Sequence, residues 1–199
     1  MKKTLLIVPP RTILKSSIKR CCTPIGLAYI AAVLEQNKVD VRILDCYAEG
    51  YENEKELEDG YVRVGLDDKD IMHRIMVYKP DYVGVTCGFT SEIGNTMYIC
   101  KLVKKVSNAT IVVGGLHPSN YSKETLDACP EIDVLIKGEG EYRMLNLVEG
   151  KDYNSLGRIE DVNSIPFPAR HLLKMDIYLK INRHISLDVC RFFNFYLWI

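Results

Sequence analysis

The sequence predicts an α/β fold, a parallel sheet of five strands with helices on both faces. Two observations carry this. Apolar runs of strand length recur through residues 4 to 150, each followed by a loop and then a stretch with helical spacing, the alternation that parallel crossovers require. The length of 199 residues allows one sizeable core plus an appendage more readily than two full domains.

The elements follow in order. TLLIVPP is the first strand, stopped by Pro9 and Pro10, which cannot donate to a sheet ladder. After a basic loop, PIGLAYIAAVLEQN predicts a helix: Pro24 suits the first turn, Leu27, Ile30, Ala31 and Leu34 share a face, and Asn37 suits the exit. VDVRILD is the second strand. Residues 46 to 66 are acidic, tyrosine-rich and poor in aliphatics, which predicts a surface excursion around a short helix. DDKDIMHRIMVYKP opens with capping acids and stops as a helix at Pro80. DYVGVTCGFT supplies the third strand and a polar loop, SEIGNTMYICKLVKKVS a helix begun by Ser91, and ATIVVGG the fourth strand. SKETLDACP predicts a short helix, DVLIKGEGE the fifth strand and EYRMLNLVEG the closing helix.

Beyond residue 150 this rhythm stops. NSIPFPARHLLKMDIYLK, with prolines on both sides of Phe167, predicts a connector that packs an aromatic on a neighbour and leads elsewhere. ISLDVCRFFNFYLWI ends apolar and without a cap, as an interrupted element does. The expected division is residues 1–150 as the main domain and 151–199 as connector and start of a further region.

Lys plus Arg and Asp plus Glu are equal at 26 each, so no bulk positive field draws the chain to nucleic acid or to an anionic membrane. MKKTLLIVPPRT has a basic start, but its apolar run is too short for a signal peptide or a spanning helix, and a cytoplasmic location is expected. The seven cysteines contain no C-x-x-C pair and are odd in number, which indicates neither a zinc knuckle nor a disulfide framework.

In open parallel sheets ligands collect beyond the carboxyl ends of the strands, so the post-strand loops are informative. Pro9-Pro10 stands where a dinucleotide fold or a P-loop needs glycines, and Thr86 and Cys87 stand where a receiver domain needs its aspartate. What remains is a site without a strong anion clamp. Gly114 and Gly115 either make a turn or let a bulky ligand lie against the backbone, with Thr86, Thr90 and Ser91 as hydrogen-bonding groups beside it.

VPP followed by TPIGLAYIAAVLE, then VGVTCGFT, VVGGLHPS, DVLIKGEGE and IEDVNSIPFPAR, occur in this order from about Leu5 to Arg170. Together they resemble the N-terminal cobalamin-binding domain of cobalamin-dependent radical S-adenosylmethionine enzymes. The resemblance implies a flavodoxin-like (Rossmann-like) five-stranded parallel sheet, with the corrin over the carboxyl ends of the strands and the nucleotide tail beside the sheet. Carried over by position, it assigns cofactor contacts to the loop Thr86, Cys87, Gly88, Phe89 and Thr90, to the turn Gly114, Gly115, Leu116, His117 and Pro118, and to the rim Gly138, Glu139 and Gly140. Glu139 either accepts hydrogen bonds from corrin amides or caps the following helix. The Asp-x-His-x-x-Gly motif that places a histidine beneath cobalt in methionine synthase-type domains is absent, which leaves the cobalt without a lower histidine or with His117 as a candidate ligand. His73 lies in a predicted helix away from these loops, and His171 and His184 belong to the tail.

Such enzymes hold a [4Fe-4S] cluster and S-adenosylmethionine through C-x-x-x-C-x-x-C. Here Cys190 is followed at the matching positions by Asn194 and Leu197, so the resemblance implies a corrinoid module that stops before the radical SAM barrel, by truncation, frameshift or excision. A natural small protein is the alternative. Three functional readings follow: a cobalamin-binding module that is not catalytic alone, a corrinoid carrier or methyltransferase subunit acting with a separate catalytic chain, and a flavodoxin-like protein with another ligand.

Overall fold

The computed structural model describes residues 1–182. In chain order the elements are β1 (Lys3–Val8), β2 (Arg11–Leu14), α1 (Ile25–Gln36), β3 (Asp40–Asp45), α2 (Cys46–Glu49), β4 (Glu54–Glu56), β5 (Tyr61–Val64), α3 (Asp68–Tyr78), β6 (Tyr82–Thr86), α4 (Ile93–Val106), β7 (Thr110–Gly114), α5 (Leu116–Asn120), α6 (Ser122–Ala128), β8 (Val134–Ile136), α7 (Glu141–Glu149) and α8 (Met175–Asn182).

The main sheet runs β3-β1-β6-β7-β8 with every neighbouring pair parallel, the flavodoxin-like order. Alternation along each strand divides its side chains between two cores. Leu5, Ile7, Val83, Val85, Ile111 and Val113 pack with Ile71 and Ile75 of α3 and Ile99 and Val103 of α4. Leu6, Val112 and Ile136 pack with Leu27, Ile30 and Leu34 of α1 and Met144, Leu145 and Val148 of α7. The strand order reverses between β1 and β6, so their carboxyl ends diverge and leave a crevice.

Residues 46 to 66 carry the expected short helix, α2, and stay exposed from Glu52 to Tyr61, but the excursion is also paired. β2, β5 and β4 form a three-stranded antiparallel sheet, and Val62 and Val64 are buried with Tyr47, Ala48, Cys21 and Ala28 in a third cluster. Each of these short strands points so few aliphatics inward that the acidic composition masked their alternation. Helix α4 begins at Ile93, after a 3₁₀ turn over Thr90–Glu92, and not at Ser91. The fifth parallel strand ends at Ile136, so Gly-Glu-Gly lies in a loop and the second glutamate opens α7.

The connector returns to the domain. Tyr153, Ile165, Ala169 and Leu172 pack on the α1 and α7 face, and the Ala169 N–H donates to the Ala28 carbonyl over 2.9 Å. Phe167 stays 93% exposed and does not pack as the sequence predicts. Cys190, His184 and the apolar run ending at Ile199 lie outside the described residues.

Helix α8 is tied to β3 by a buried bond in which the Tyr178 hydroxyl donates to Asp45 over 2.7 Å. Asp45 also accepts from the Ala48 N–H and so caps α2. Burial pushes its carboxyl up to about 6, against the pull of these two bonds. The folded chain thus holds the proton more tightly than the unfolded chain, and stability falls as pH rises from the ordinary carboxylate range through about 6. Above that pH the Tyr178 bond serves a charged group. Tyr178→Phe is expected to cost about 2 kcal/mol near pH 7.5 and distinctly less at pH 5, read from urea unfolding at the two pH values.

Candidate functional site

A cavity of about 620 Å³ opens over the carboxyl ends of β1 and β6, where the strand order reverses. Val8 to Arg11 form one side, the entry to α1 from Thr23 to Leu27 a second, and Thr86, Gly88 and Phe89 a third. Glu139, Glu141 and the connector residues Ile159, Ile165 and Phe167 complete the wall. Pro9 and Pro10 end β1 abruptly and turn the chain aside into β2, which keeps this end of the sheet open. An open depression of about 590 Å³ at the other end of the sheet, around Lys79 to Tyr82 and Ser107 to Thr110, lies at the amino ends of the strands and lacks these crossover loops.

Beneath the cavity, and sharing Thr86 and Leu27 with it, runs a narrow apolar slot between the sheet and the two helices α1 and α7. Two rows of side chains floor it. In one, Leu6, Gly84 and Val112 are register partners; in the next, Thr86, Gly114 and Ile136 are. Each row carries a glycine: over Gly84 the Leu6 side chain takes the room a Cβ would need, over Gly114 a Cβ would make only ordinary contacts, and the slot between them and the helices holds about 30 Å³.

The charged groups are few. Arg11 pairs with Glu92 at 3.3 Å and lies 5.0 Å over the Tyr47 ring. Glu139 accepts from the Ile159 N–H and faces Arg158 at 3.8 Å, so it anchors the connector wall and does not cap α7. Glu141, the first residue of α7, is 6% exposed, and its Oε2 has no hydrogen-bond partner. Burial raises its pKa above the ordinary carboxylate value, and the charge of Glu139 adds to this. Burial likewise pushes the Cys87 thiol up to about 11, which keeps it neutral.

Of the residues singled out from sequence, Thr86, Gly88, Phe89 and Glu139 line the cavity, while Gly114 and Gly140 line the slot. Cys87 is buried behind them. Thr90 and His117 are joined through Thr90 Oγ1 and His117 Nδ1 at 3.0 Å, and the imidazole stacks on Tyr121. Leu116 is exposed and Pro118 buried at the start of α5. Gly138, at φ +70°, donates its N–H to Ser119 Oγ. Gly115 has φ +122°, and a Cβ there would lie 2.4 Å from the Cys87 carbonyl oxygen, so its lack of a side chain serves the approach of two loops of the chain itself. Sequence reasoning missed Glu141, the α1 entry and the connector wall. Glu141 carried a signal as the second acid of the Gly-Glu-Gly-Glu run.

Residues 11–148 match the model of the B12 binding domain family. The cytidylyl-2-hydroxyethylphosphonate methyltransferase of Streptomyces wedmorensis is 30% identical across 93% of this chain and 43% of its own length. An uncharacterized methyltransferase of Pyrococcus horikoshii is 31% identical across 88% of this chain and 40% of its own length. The radical S-adenosylmethionine methyltransferase TsrM of Kitasatospora setae, solved with cobalamin and a [4Fe-4S] cluster bound, superposes with a TM-score of 0.56 at 22% identity, over 76% of this chain and 26% of that one, a likeness of fold. This chain therefore spans less than half the length of each of these relatives. With its sheet order, its crevice at the strand reversal and a family match through most of the described residues, the chain belongs to the B12 binding domain family.

Proposed function

We propose that this chain is a corrinoid-holding module that binds cobalamin over the carboxyl ends of β1, β6 and β7, with no histidine of the module beneath cobalt, and that catalyses nothing by itself. The cavity at the strand reversal, continued by a glycine-floored slot, carries this reading. The donor set supports it. Arg11 is already paired, and three acidic side chains (Glu92, Glu139 and Glu141) line the same cavity, a poor setting for a polyphosphate and a workable one for a large ligand rich in amides. Helix α1 opens on the cavity without an acid in its first turn, so its N–H groups suit the single charge of a phosphodiester.

In this reading the tail of the cofactor lies in the cavity and reaches the mouth of the slot, toward Thr86, Gly114 and Gly140. The corrin rests on the rim formed by Gly88, Phe89, Thr90, Leu116, His117 and Gly138. Cys87, Gly115 and Pro118 hold the two loops in place, and Glu139 fixes the connector wall. Bound cobalamin supplies a cobalt centre that accepts and releases a methyl group.

Residues 1–150 hold the cofactor in this account, and 151–199 lead toward a second region. The relatives named methyltransferases favour methyl transfer for the intact protein, with [4Fe-4S] and S-adenosylmethionine supplied outside this module. Phe89, Leu116 and Phe167, all exposed, offer an apolar rim on which a catalytic region would close, in the same chain or as a separate subunit. Among the described residues no helix is long and apolar enough to cross a membrane. We assign a cytoplasmic location, where iron–sulfur chemistry is at home, and no nucleic-acid partner, in keeping with the balanced charge.

The test is spectroscopic. Hydroxocobalamin or methylcobalamin is added to the purified chain, free ligand is removed by desalting, and the visible spectrum is recorded. Retained corrin with the base-off spectrum is the expected result. A retained base-on spectrum would contradict the placement of the tail, and uptake of flavin or nucleotide in place of corrin would overturn the assignment.

A further inference from the structure

The walls of the large cavity are held unequally. Val8 to Arg11 continue β1 into β2, Thr23 to Leu27 enter α1, and Thr86, Gly88 and Phe89 lead out of β6, so three sides are tied to a sheet or a core helix. The fourth side is the connector, which is fastened at two ends. At the first, Asn146 of α7 donates to the Asp152 carbonyl over 2.8 Å, and the Arg143 guanidinium donates to the carbonyls of Tyr153 at 2.8 Å, Asn154 at 3.0 Å and Leu156. At the second, the Tyr142 hydroxyl donates to the Ser164 carbonyl over 3.1 Å, and Pro168 and Ala169 are buried.

Residues 157 to 163 lie between these fastenings. Their hydrogen bonds to the rest of the domain run through one side chain: Glu139 Oε2 accepts from the Ile159 N–H over 2.5 Å, while Glu139 Oε1 faces Arg158 at 3.8 Å. The bonds that Asp161 makes to Asn163 and Ser164 stay within the connector. Ile159 and Val162 line the cavity, yet neither belongs to any of the three buried clusters, and Val162 is 71% exposed. A span with few buried contacts and one tie to its domain opens more readily than the elements around it.

We propose that residues 157 to 163 form a strap that lifts from Glu139 to admit the bulky ligand and closes over it, bringing Ile159 and Val162 against the bound molecule. Glu139 is the clasp, and α7 supplies the fixed ends through Tyr142, Arg143 and Asn146. This rests on the corrinoid reading above and adds to it the device that controls entry and release.

The strap carries its own reporter, because the Arg158 side chain is 77% exposed and offers trypsin a cleavage site within the span. Cleavage there tracks the population of the open form when opening is fast. The whole chain, Glu139→Ala and Glu139→Gln are compared in two measurements: the rate of cleavage after Arg158, read by mass spectrometry, and the association and dissociation rates of hydroxocobalamin. The Ala variant is expected to be cut there about fivefold faster than the wild type, and to bind and release hydroxocobalamin about fivefold faster, so that Kd shifts less than either rate. Gln still accepts from the Ile159 N–H without the charge, and its rates fall between. Bound hydroxocobalamin slows the cleavage of the wild-type chain. An association rate unchanged in the Ala variant would overturn the inference, since Glu139 would then brace a fixed wall. So would cleavage after Arg158 that is as fast in the loaded chain as in the free one. Should the Ala variant fail to fold, the Gln variant and the protection of the wild type decide. Wild-type protein that takes up no hydroxocobalamin would overturn the corrinoid reading itself, while faster cleavage of the Ala variant would still uphold the clasp.

Discussion

Gly114→Leu should abolish corrinoid retention, weakening binding by about a hundredfold or more, while the far-ultraviolet circular dichroism stays that of the wild-type chain. The expectation comes from where the new atoms go. A Cβ at position 114 meets only the Ile136 carbonyl oxygen at 3.7 Å and the Ile136 Cβ at 3.9 Å, ordinary contacts that leave the strand undisturbed. The rest of the leucine side chain then stands in the slot between the sheet and helices α1 and α7, beside Thr86. A ligand part that uses the slot is excluded by volume. A variant that folds and binds as the wild type does would show that the slot is packing space and that the cofactor lies wholly above it.

Gly115→Ala, one residue on, should fail for a different reason. Its φ of +122° is a region that residues with a Cβ rarely adopt, and the added methyl would lie 2.4 Å from the Cys87 oxygen and 2.8 Å from the Cys87 carbonyl carbon. Relief requires the loop after β6 to separate from the start of α5, which breaks the bond from the Cys87 N–H to the Gly114 carbonyl and the weaker one from the His117 N–H to the Cys87 carbonyl. A loss of about 3 kcal/mol or more in urea unfolding is expected. Gly138→Ala is the useful comparison. Its φ is +70° and nothing lies within 4 Å of the added carbon, so only the left-handed backbone is penalised, at about 1 kcal/mol. Similar losses for the two variants would mean that the Cys87 contact is not a tight one.

The adjacent glycines show how far the sequence could be read. Their place at the end of the fourth parallel strand was legible, because an apolar run closed by Gly-Gly has few other meanings in an alternating α/β chain. Their different duties were not, since only the register of β6 against β7 and the approach of Cys87 separate a slot floor from a loop contact. The parallel strands and long helices were legible because each is a long apolar pattern. The β2-β5-β4 sheet was not, because its strands are short and its core is completed by Cys21, Ala28 and Tyr178 from other parts of the chain. Glu141 was hidden by an ambiguity of its own: an acid at the first position of a helix reads as a favourable dipole partner, and only burial without a partner marks it as something else. The connector wall arises from tertiary docking through Ala169 on Ala28, which no local pattern encodes.

The measurement that bears most directly on the account is equilibrium dialysis of the purified, folded chain against hydroxocobalamin, with flavin mononucleotide and inorganic phosphate as competitors. Saturable uptake of one corrinoid per chain, undisturbed by either competitor and lost in Gly114→Leu, is the predicted result. A chain with a folded circular dichroism spectrum that takes up no corrinoid, or yields it to flavin mononucleotide, would contradict the claim that this cavity holds cobalamin.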